Sequence, residues 1–325
     1  MTSSRNCLAA AVLATLACAT PAQQAFVEQS GNGDAASIEQ NNAAGLSTFA
    51  SIFQSGGAAN SASVLQTVDG AGSPGGLGAA ATVTQQGTFG DTAKVTQLAV
   101  SGSALTVTQS GGSNSSADVL QFGVSNSRIR VNQGSSFSDV LVQQTGGSSG
   151  AGAGAELFGN GGHITLLQGQ PTAGGVFNTG ARVFQYGDAN SGLSVQSGVS
   201  NSNAYTSQGS PQMVGFYFDH LAGVWVEVDG SVLPSAAVGS TATTFQTGGN
   251  AQTAYILQYG FGLNASITQS GDQNLGGVLQ SGSGHLANIT QSGVAGQATV
   301  AQYGTGMTST VFQSGVGNTA TVKQR

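Results

Sequence analysis

The clearest repeat unit of this chain is Gln313-Ser314-Gly315-Val316-Gly317-Asn318-Thr319-Ala320-Thr321-Val322-Lys323-Gln324, with the pattern Q-x-G-x-G-N-x-A-x-x-x-Q. Its second half alternates with a period of two, which predicts a β-strand. Ala320, Val322 and Gln324 then share one face of that strand. The Gly-x-Gly-Asn segment supplies residues that adopt positive φ, as a tight reversal requires. Each unit is therefore predicted to form one strand and one turn.

The same unit recurs along most of the chain. In the arrays from 85 to 133 and from 246 to 324, a glutamine returns every 11 or 12 residues, and glycine and alanine recur at similar offsets. Recurrence at fixed positions distinguishes a structural repeat from Gln-rich low complexity. The glutamines predicted to form an inward amide ladder are Gln29, Gln40, Gln54, Gln66, Gln85, Gln97, Gln109, Gln121, Gln133, Gln185, Gln196, Gln208, Gln246, Gln258, Gln269, Gln280, Gln291, Gln302, Gln313 and Gln324. The predicted turn residues are Gly31, Gly33, Gly260, Gly262, Gly315, Gly317 and Asn318.

Stacking of these units predicts an all-β fold. Two units form a rung of two strands, and neighbouring rungs lie about 4.7 to 4.9 Å apart. Equivalent glutamines then form columns, in which each primary amide bonds to the amide above and below it. The sequence therefore predicts an amyloid-competent β-solenoid of roughly ten rungs. Its interior is narrow, because the apolar residues are mainly Ala and Val.

The amino terminus predicts export. Arg5 precedes the apolar stretch 8–19, and small residues follow at 20–22, as in a secretory signal peptide. A lipoprotein signal ending before Cys18 is the alternative. Both cysteines, Cys7 and Cys18, lie inside this leader, so no disulfide is expected in the exported chain. No later stretch approaches the roughly 20 apolar residues of a transmembrane helix.

Two interruptions divide the repeat. Residues 145–184 are rich in Gly and Ser and contain one weak unit ending at Gln168, so an irregular insertion is predicted there. Residues 209–245 contain apolar runs on either side of Asp229-Gly230, a plausible hairpin turn. This second insertion is expected to cover a face of the solenoid or to form an adhesive patch. The predicted divisions are 1–22 signal peptide, 23–144 repeats, 145–184 irregular insertion, 185–208 repeats, 209–245 hairpin-like insertion and 246–325 repeats.

Charge and composition exclude several functions. The net charge is −6, and only 6% of residues are charged, so the electrostatic contribution that drives nucleic-acid binding is absent. His163, His220 and His285 are scattered, and a solvated turn position is expected for them rather than catalysis. Asp34 and Asp272 are the candidates for calcium, but the consecutive nonapeptides of calcium-binding β-rolls are absent. We predict no enzyme activity, no cofactor and no metal.

The repeat resembles the curlin repeat of bacterial curli subunits, whose hallmark is matched in full from Gln313 to Gln324. This resemblance implies a secreted subunit that self-assembles into extracellular, pilus-like amyloid fibres for cell adhesion and biofilm matrix. It also implies several partners: copies of the chain itself, a nucleator or major curlin-like subunit, an outer-membrane export pore and export chaperones. Here the repeats begin almost directly after the leader, which is a departure from curli subunits. The basic ending Lys323-Gln324-Arg325 is similar to that of the minor, nucleating subunit.

Two other functions remain open at this point. A monomeric β-solenoid adhesin, which includes an ice-binding protein, would use outward threonines such as Thr82, Thr84, Thr106 and Thr108. A β-helical polysaccharide-processing enzyme would need acids or bases clustered on adjacent rungs, whereas the charged residues are sparse. Two further features concern the predicted surface. Tyr186, Tyr259 and Tyr303 are candidates for an outward aromatic ladder, and Arg128 with Arg130 is expected to be a solvated basic spot.

Overall fold

The computed structural model describes residues 14–15, 23–42, 48–68, 78–145, 150–169, 176, 178–209, 216–219, 224–227 and 236–325. Within these ranges the chain forms strands and turns and no helix. Most of the predicted signal peptide and the turn at Asp229-Gly230 lie outside the described residues, as does His220.

The strands alternate along the chain between two sheets. The first sheet contains β1 (Ala14–Thr15), β3 (Ala35–Asn42), β5 (Ser61–Val68), β7 (Thr92–Leu98), β9 (Ser116–Phe122), β11 (Asp139–Thr145), β13 (His163–Gln168), β15 (Ser191–Ser200), β20 (Thr241–Asn250), β22 (Asn264–Asp272), β24 (Leu286–Val294) and β26 (Thr308–Val316). The second sheet contains β2 (Gln23–Asn32), β4 (Thr48–Ala58), β6 (Ala79–Gln86), β8 (Ala104–Ser110), β10 (Arg128–Gln133), β12 (Gly152–Phe158), β14 (Gly180–Tyr186), β16 (Asn203–Gln208), β21 (Thr253–Phe261), β23 (Leu275–Ser283), β25 (Gln297–Thr305) and β27 (Thr319–Gln324), with β19 (Ala237–Val238) beside β21.

Every neighbouring pair in these two sheets is parallel, and equivalent residues face each other. Gln246, Gln269 and Gln291, for example, occupy the same position on three successive strands of the first sheet. The chain therefore winds from one sheet to the other and back, and each return adds a rung. This arrangement confirms the predicted all-β solenoid.

The core between the sheets contains two large hydrophobic clusters. One cluster extends from Ile38 to Val183, and the other from Ala242 to Val311. Between them, Ser194, Thr206 and Thr244 occupy buried positions that carry Val or Ile on most other rungs. The hydroxyls of Ser194 and Thr244 have no hydrogen-bond partner among the described residues. A polar layer thus separates the two apolar parts of the solenoid.

The segment 145–184 differs from the irregular insertion that was expected. Its strands β12 and β13 pair in register with the strands on both sides, so this part of the chain adds a regular rung. The sequence concealed β12 because Leu157 occupies the position of the repeat glutamine, between Gln133 and Gln185. Gly152 and Gly154 also replace the polar outward residues of a typical unit.

The segment 209–245 contains an antiparallel hairpin of β17 (Phe216–Asp219) and β18 (Val224–Glu227), in which Phe218 pairs with Trp225. The predicted turn at Asp229-Gly230 follows this hairpin in the sequence and lies outside the described residues. The solenoid resumes before residue 245, because β20 begins at Thr241 and continues directly from β15 in the first sheet.

Candidate functional site

The first sheet contains an unbroken column of glutamines. In each step the Nε2 atom of one glutamine donates to the Oε1 atom of the next, over 2.7 to 3.0 Å. The members of this first column are Gln40, Gln66, Gln97, Gln121, Gln144, Gln168, Gln196, Gln246, Gln269, Gln291 and Gln313. All of them are buried. A low-dielectric surrounding strengthens such a chain of hydrogen bonds, because each bond polarises the next.

The second column lies in the second sheet and has one break. Its members are Gln29, Gln54, Gln85, Gln109 and Gln133 before the break and Gln185, Gln208, Gln258, Gln280, Gln302 and Gln324 after it. Leu157 stands between the two groups. Gln133 instead donates to the backbone carbonyls of Ser116 and Ser138, whereas Oε1 of Gln185 has no partner in the described part of the chain.

Together, the two columns therefore contain every glutamine predicted to point inward. Of these, only Gln29 and Gln324 are partly exposed, because they lie on the end strands. Gln144 and Gln168 also belong to the first column but were not among the predicted members. Gln144 follows a second glutamine, Gln143, and Gln168 ends a unit without the usual glycine pattern, so neither stood out from its neighbours.

The donor direction is the same throughout both columns. Each Nε2 points toward the C-terminal neighbour, so the acceptor atoms Oε1 of Gln29 and Gln40 lie at the N-terminal end. At the other end, Gln313 and Gln324 donate to the backbone carbonyls of Gln297 and Thr308. The two ends of the solenoid are therefore chemically different and complementary.

Glycines stack at the corners where the chain passes between sheets. Gly260, Gly282 and Gly304 follow one another on successive rungs, and Gly260 and Gly282 both have a φ of +129°. A Cβ atom added to Gly282 would lie 1.9 Å from the carbonyl oxygen of Gly304. Glycine is required there by both the backbone conformation and the close approach of the next rung.

The predicted turn residues all lie at corners, with one difference in conformation. Gly33, Gly262, Gly315 and Gly317 join Gly260 in the positive-φ region. Gly31 does not adopt positive φ; its neighbour in the turn, Gly33, does so instead. Asn318 donates from its side chain to the carbonyl of Ser314 and so closes the last corner.

Polar side chains at the inner corners bond across rungs. Asn274 donates to the carbonyls of Ser270 and Gly293 and accepts from the backbone amide of Gly296. His285 takes the equivalent place one unit later, is 1% exposed, and was wrongly expected to be solvated. Its Nδ1 accepts from the Met307 amide at 3.2 Å, and its Nε2 lies 3.1 Å from the Ser281 carbonyl. A neutral imidazole with its proton on Nε2 satisfies both contacts, so His285 replaces the corner amide.

The acidic candidates serve the same corners. Asp34 accepts from the backbone and side chain of Asn60, and Asp272 accepts from the backbone of Asn250. Asp91 is buried and accepts from the backbone amide of Ser115 at 2.9 Å. Burial raises the pKa of Asp91, and the Ser115 hydrogen bond offsets part of that rise. No group of three metal-ligating side chains occurs within the described ranges.

The three tyrosines considered for an outward ladder do not form one. Tyr259 is 3% exposed and packs with Leu257 and Leu279, and Ser281 separates it from Tyr303 in the register. Burial raises the pKa of Tyr259 to about 12. Tyr186 instead stacks on Phe158 with ring centroids 5.3 Å apart.

The predicted threonine array is small. Thr82 faces Thr106 and Thr84 faces Thr108 on the second sheet, and the next strand places Arg130 and Asn132 at these positions. The array therefore covers two strands. The part of the chain that the structure describes holds no helix of the length and apolarity needed to cross a bilayer.

One comparison with known proteins is positive. Residues 263–293 match the family model of the curlin associated repeat. This stretch contains β22, β23 and all of β24 except Val294, with Gln269, Gln280 and Gln291 at the column positions. No curated protein matches the chain.

Proposed function

We propose, from the premise that residues 263–293 are a curlin repeat, that this chain is a secreted structural subunit whose copies stack end to end into an extracellular, amyloid-like fibre. The fibre serves cell adhesion and forms part of a biofilm matrix. The observation that carries the proposal is the direction of the amide columns, because acceptors lie at one end of the solenoid and donors at the other. One copy therefore continues the columns of the copy before it.

The end strands support stacking in the same way. Apart from the two-residue strand β1, which pairs with β3, the outer edges of β2, β3, β26 and β27 have no partner among the described strands. Removal of the leader would take β1 with it and free the edge of β3. An unpaired edge with a matching register is a template for another chain, and contacts between two different surfaces build filaments.

The alternation of sheets specifies how two copies meet. The last described strand, β27, belongs to the second sheet, so continued winding places β2 of the next copy beside β26 and β3 beside β27. Neighbouring copies are then related by a rotation of about half a turn around the solenoid axis. In this arrangement Gln313 donates to Gln29, Gln324 donates to Gln40, and the exposed Lys323 lies beside the exposed Glu39.

Fibre formation by the purified chain without residues 1–22 tests the proposal. We expect a lag phase, binding of Thioflavin T, fibres in electron micrographs and a diffraction spacing near 4.7 Å along the fibre. A chain that stays monomeric at micromolar concentration for days would contradict the proposal and favour the monomeric adhesin.

A matched pair of variants tests the role of the end surface. Val322→Lys places a charge on the inward face of β27, and Thr321→Lys places the same charge on the outward face. We expect Val322→Lys to slow fibre growth at least about tenfold, because a charge without a partner is costly to bury at a contact. Thr321→Lys should change the rate less than about twofold. Equal rates for both variants would argue against growth through this surface.

Disulfide trapping tests the half-turn. If β27 meets β3 of the next copy, a chain with Lys323→Cys and Glu39→Cys forms intermolecular disulfides within its fibres, because the two Cα atoms lie at the spacing of adjacent strands. If copies stack without rotation, β27 meets β2, and Lys323→Cys with Glu28→Cys is the pair that cross-links. The predicted export pore, chaperones and nucleating subunit belong to this proposal as partners.

A further inference from the structure

The outer face of the second sheet carries a trough that the end-to-end stacking does not use. Its volume is about 620 Å³, and its floor is β12, on which Gly152 and Gly154 point outward. The wall on one side is β10, with Arg128 and Arg130 in register with these two glycines. The other wall is β14, with Arg182 in register with Gly154.

The basic residues in this trough are unusually concentrated. The chain has 7 lysines and arginines in total, and Arg128, Arg130 and Arg182 are three of them. In the sequence, Arg128 and Arg130 form an isolated basic spot, because Arg182 lies far along the chain and joins them only through the register of the rungs. Two strand spacings, about 10 Å, separate the backbones of Arg130 and Arg182.

Among the described residues, no ion pair joins a carboxylate to these three arginines. Lys94 and Asp118 form an ion pair elsewhere, at 3.7 Å. Glu156 lies at one end of the trough but accepts from Asn132 and from the hydroxyl of Tyr186, both at 3.3 Å. The three guanidinium groups are exposed and available to a ligand.

The glycines of the floor are not required by the backbone. A Cβ atom on Gly154 would approach Arg182 Cγ at 3.6 Å, and one on Gly152 would approach the Thr179 carbonyl at 3.9 Å, which are ordinary contacts. Neither residue has positive φ. Glycine inside a strand weakens it and marks places where a ligand approaches the backbone closely. Here the missing side chains keep the floor open between the two arginine walls.

We propose that this trough binds an acidic polysaccharide through carboxylate or sulfate groups on its sugars. The guanidinium group binds such anions with two parallel hydrogen bonds. Phe184 lies beside Glu156 in the register, and the stacked rings of Phe158 and Tyr186 lie beyond them. These rings provide flat apolar surfaces with an adjacent acceptor, which suits a sugar ring. A glycan fits better than duplex nucleic acid, because its sugar rings can pack on the flat apolar surfaces while its anions bind the arginines, whereas three cations on a chain of net charge −6 neutralise few phosphates.

The trough lies on the side of the solenoid, so it stays accessible in monomers and in stacked fibres. The inference does not depend on fibre formation, and the two are tested separately. Repetition of the trough once per copy would present an array of weak sites, which raises the avidity for a long polymer.

Binding of the purified protein to four polymers tests the inference: polygalacturonate for carboxylates, heparin for sulfates, dextran as a neutral glycan and duplex DNA. The test variant is Arg130→Gln with Arg182→Gln. The matched control is Lys94→Gln with Lys323→Gln, which removes the same charge away from the trough. Binding is measured on monomers, because Lys323 lies at the proposed contact between copies. We expect binding to polygalacturonate or heparin that weakens at least about tenfold in the test variant and less than about twofold in the control.

Gly154→Val supplies a second test that leaves the charge unchanged. The valine favours the strand and fills the floor, so we expect an unchanged melting temperature with loss of glycan binding. Equal losses in the test and control variants would overturn the inference, as would no binding to either acidic glycan. Tighter binding to DNA than to both glycans would replace the glycan with a nucleic acid. The arginine variant should still form fibres at the normal rate. Loss of glycan binding with normal fibre growth therefore tests the trough independently of the proposed function.

Discussion

The two glutamine columns run through the same solenoid, yet the first is continuous and the second is broken at Leu157. On the N-terminal side of the break, the donor Gln133 bonds to two backbone carbonyls instead. On the C-terminal side, the acceptor Oε1 of Gln185 is buried without a partner in the described structure. A break therefore leaves the buried acceptor without a hydrogen bond, whereas the donor still bonds to backbone carbonyls.

This asymmetry shows what the columns contribute. Most Nε2 atoms have a second acceptor on the facing strand, as Gln269 has in the carbonyl of Thr253. The Oε1 atoms depend on the amide of the previous rung. Leu157 is itself fully buried and packs in the core, so apolar contacts offset part of the loss. A rung can thus lack its glutamine, at the cost of one unpaired acceptor.

The largest expected effect comes from forcing apart two rungs of the second column at a corner. Gly282→Ala would place a Cβ atom 1.9 Å from the carbonyl oxygen of Gly304 and force the rungs apart beside Gln280. We expect a loss of about 3 to 5 kcal/mol in the free energy of unfolding, measured by denaturant titration. The control is Gly306→Ala, where φ is +65° and no atom lies within 4 Å, with an expected cost of about 1 kcal/mol. Similar costs for both would show that close stacking at the corner is unimportant.

The next largest effect is expected when a glutamine of the first column is replaced by leucine, as Leu157 replaces one in the second column. Gln291→Leu removes the donor to Oε1 of Gln313, while Gln269 keeps its bond to Thr253. We expect a destabilisation of about 1 to 3 kcal/mol from the unpaired acceptor, reduced by the packing of leucine. Thr290→Ala, an outward change on the same strand, should stay within about 0.5 kcal/mol. Equal values would show that the inward amide has no special role.

Repair of the second column is expected to raise the free energy of unfolding. Leu157→Gln supplies an acceptor for Gln133 and a donor for Oε1 of Gln185. We expect a gain of about 1 kcal/mol, because two hydrogen bonds replace one buried apolar side chain. Thermal unfolding of this variant beside Leu157→Met, which keeps the position apolar, measures the gain. If Leu157→Gln is less stable than Leu157→Met, a continuous column does not stabilise the fold.

The smallest effect concerns Asp91, whose backbone carbonyl accepts from Gln85 in the second column. Burial raises the pKa of its carboxyl group, so the folded chain holds this proton more tightly than the unfolded chain. The resulting stabilisation is complete at low pH and is lost as pH rises through the folded-state pKa. Asp91→Asn should therefore gain stability relative to the parent between pH 3 and pH 7. A constant difference across that range would contradict the assignment.

Much of this fold follows from the sequence because local period and corner chemistry coincide. Period two in the units ending at Gln269 and Gln324 specifies the strand, and the fixed spacing of the glutamines specifies the register. What could not be predicted depends on stacking between distant units. Leucine at position 157 made a regular strand unrecognisable as a repeat unit, and His285 takes the place of a corner amide. Arg182 lies near Arg130 only because the rungs stack in register.

Hydrogen exchange of the glutamine side-chain amides, followed by NMR on the soluble monomer, tests the role of the inward columns most directly. Column members such as Gln258 and Gln269 are expected to exchange slower than free glutamine by about three orders of magnitude, because exchange requires the rungs to open. Gln273 and Gln297 are exposed and should exchange at the rate of free glutamine. If column glutamines exchange as fast as these two, their amides are not held in buried, hydrogen-bonded columns.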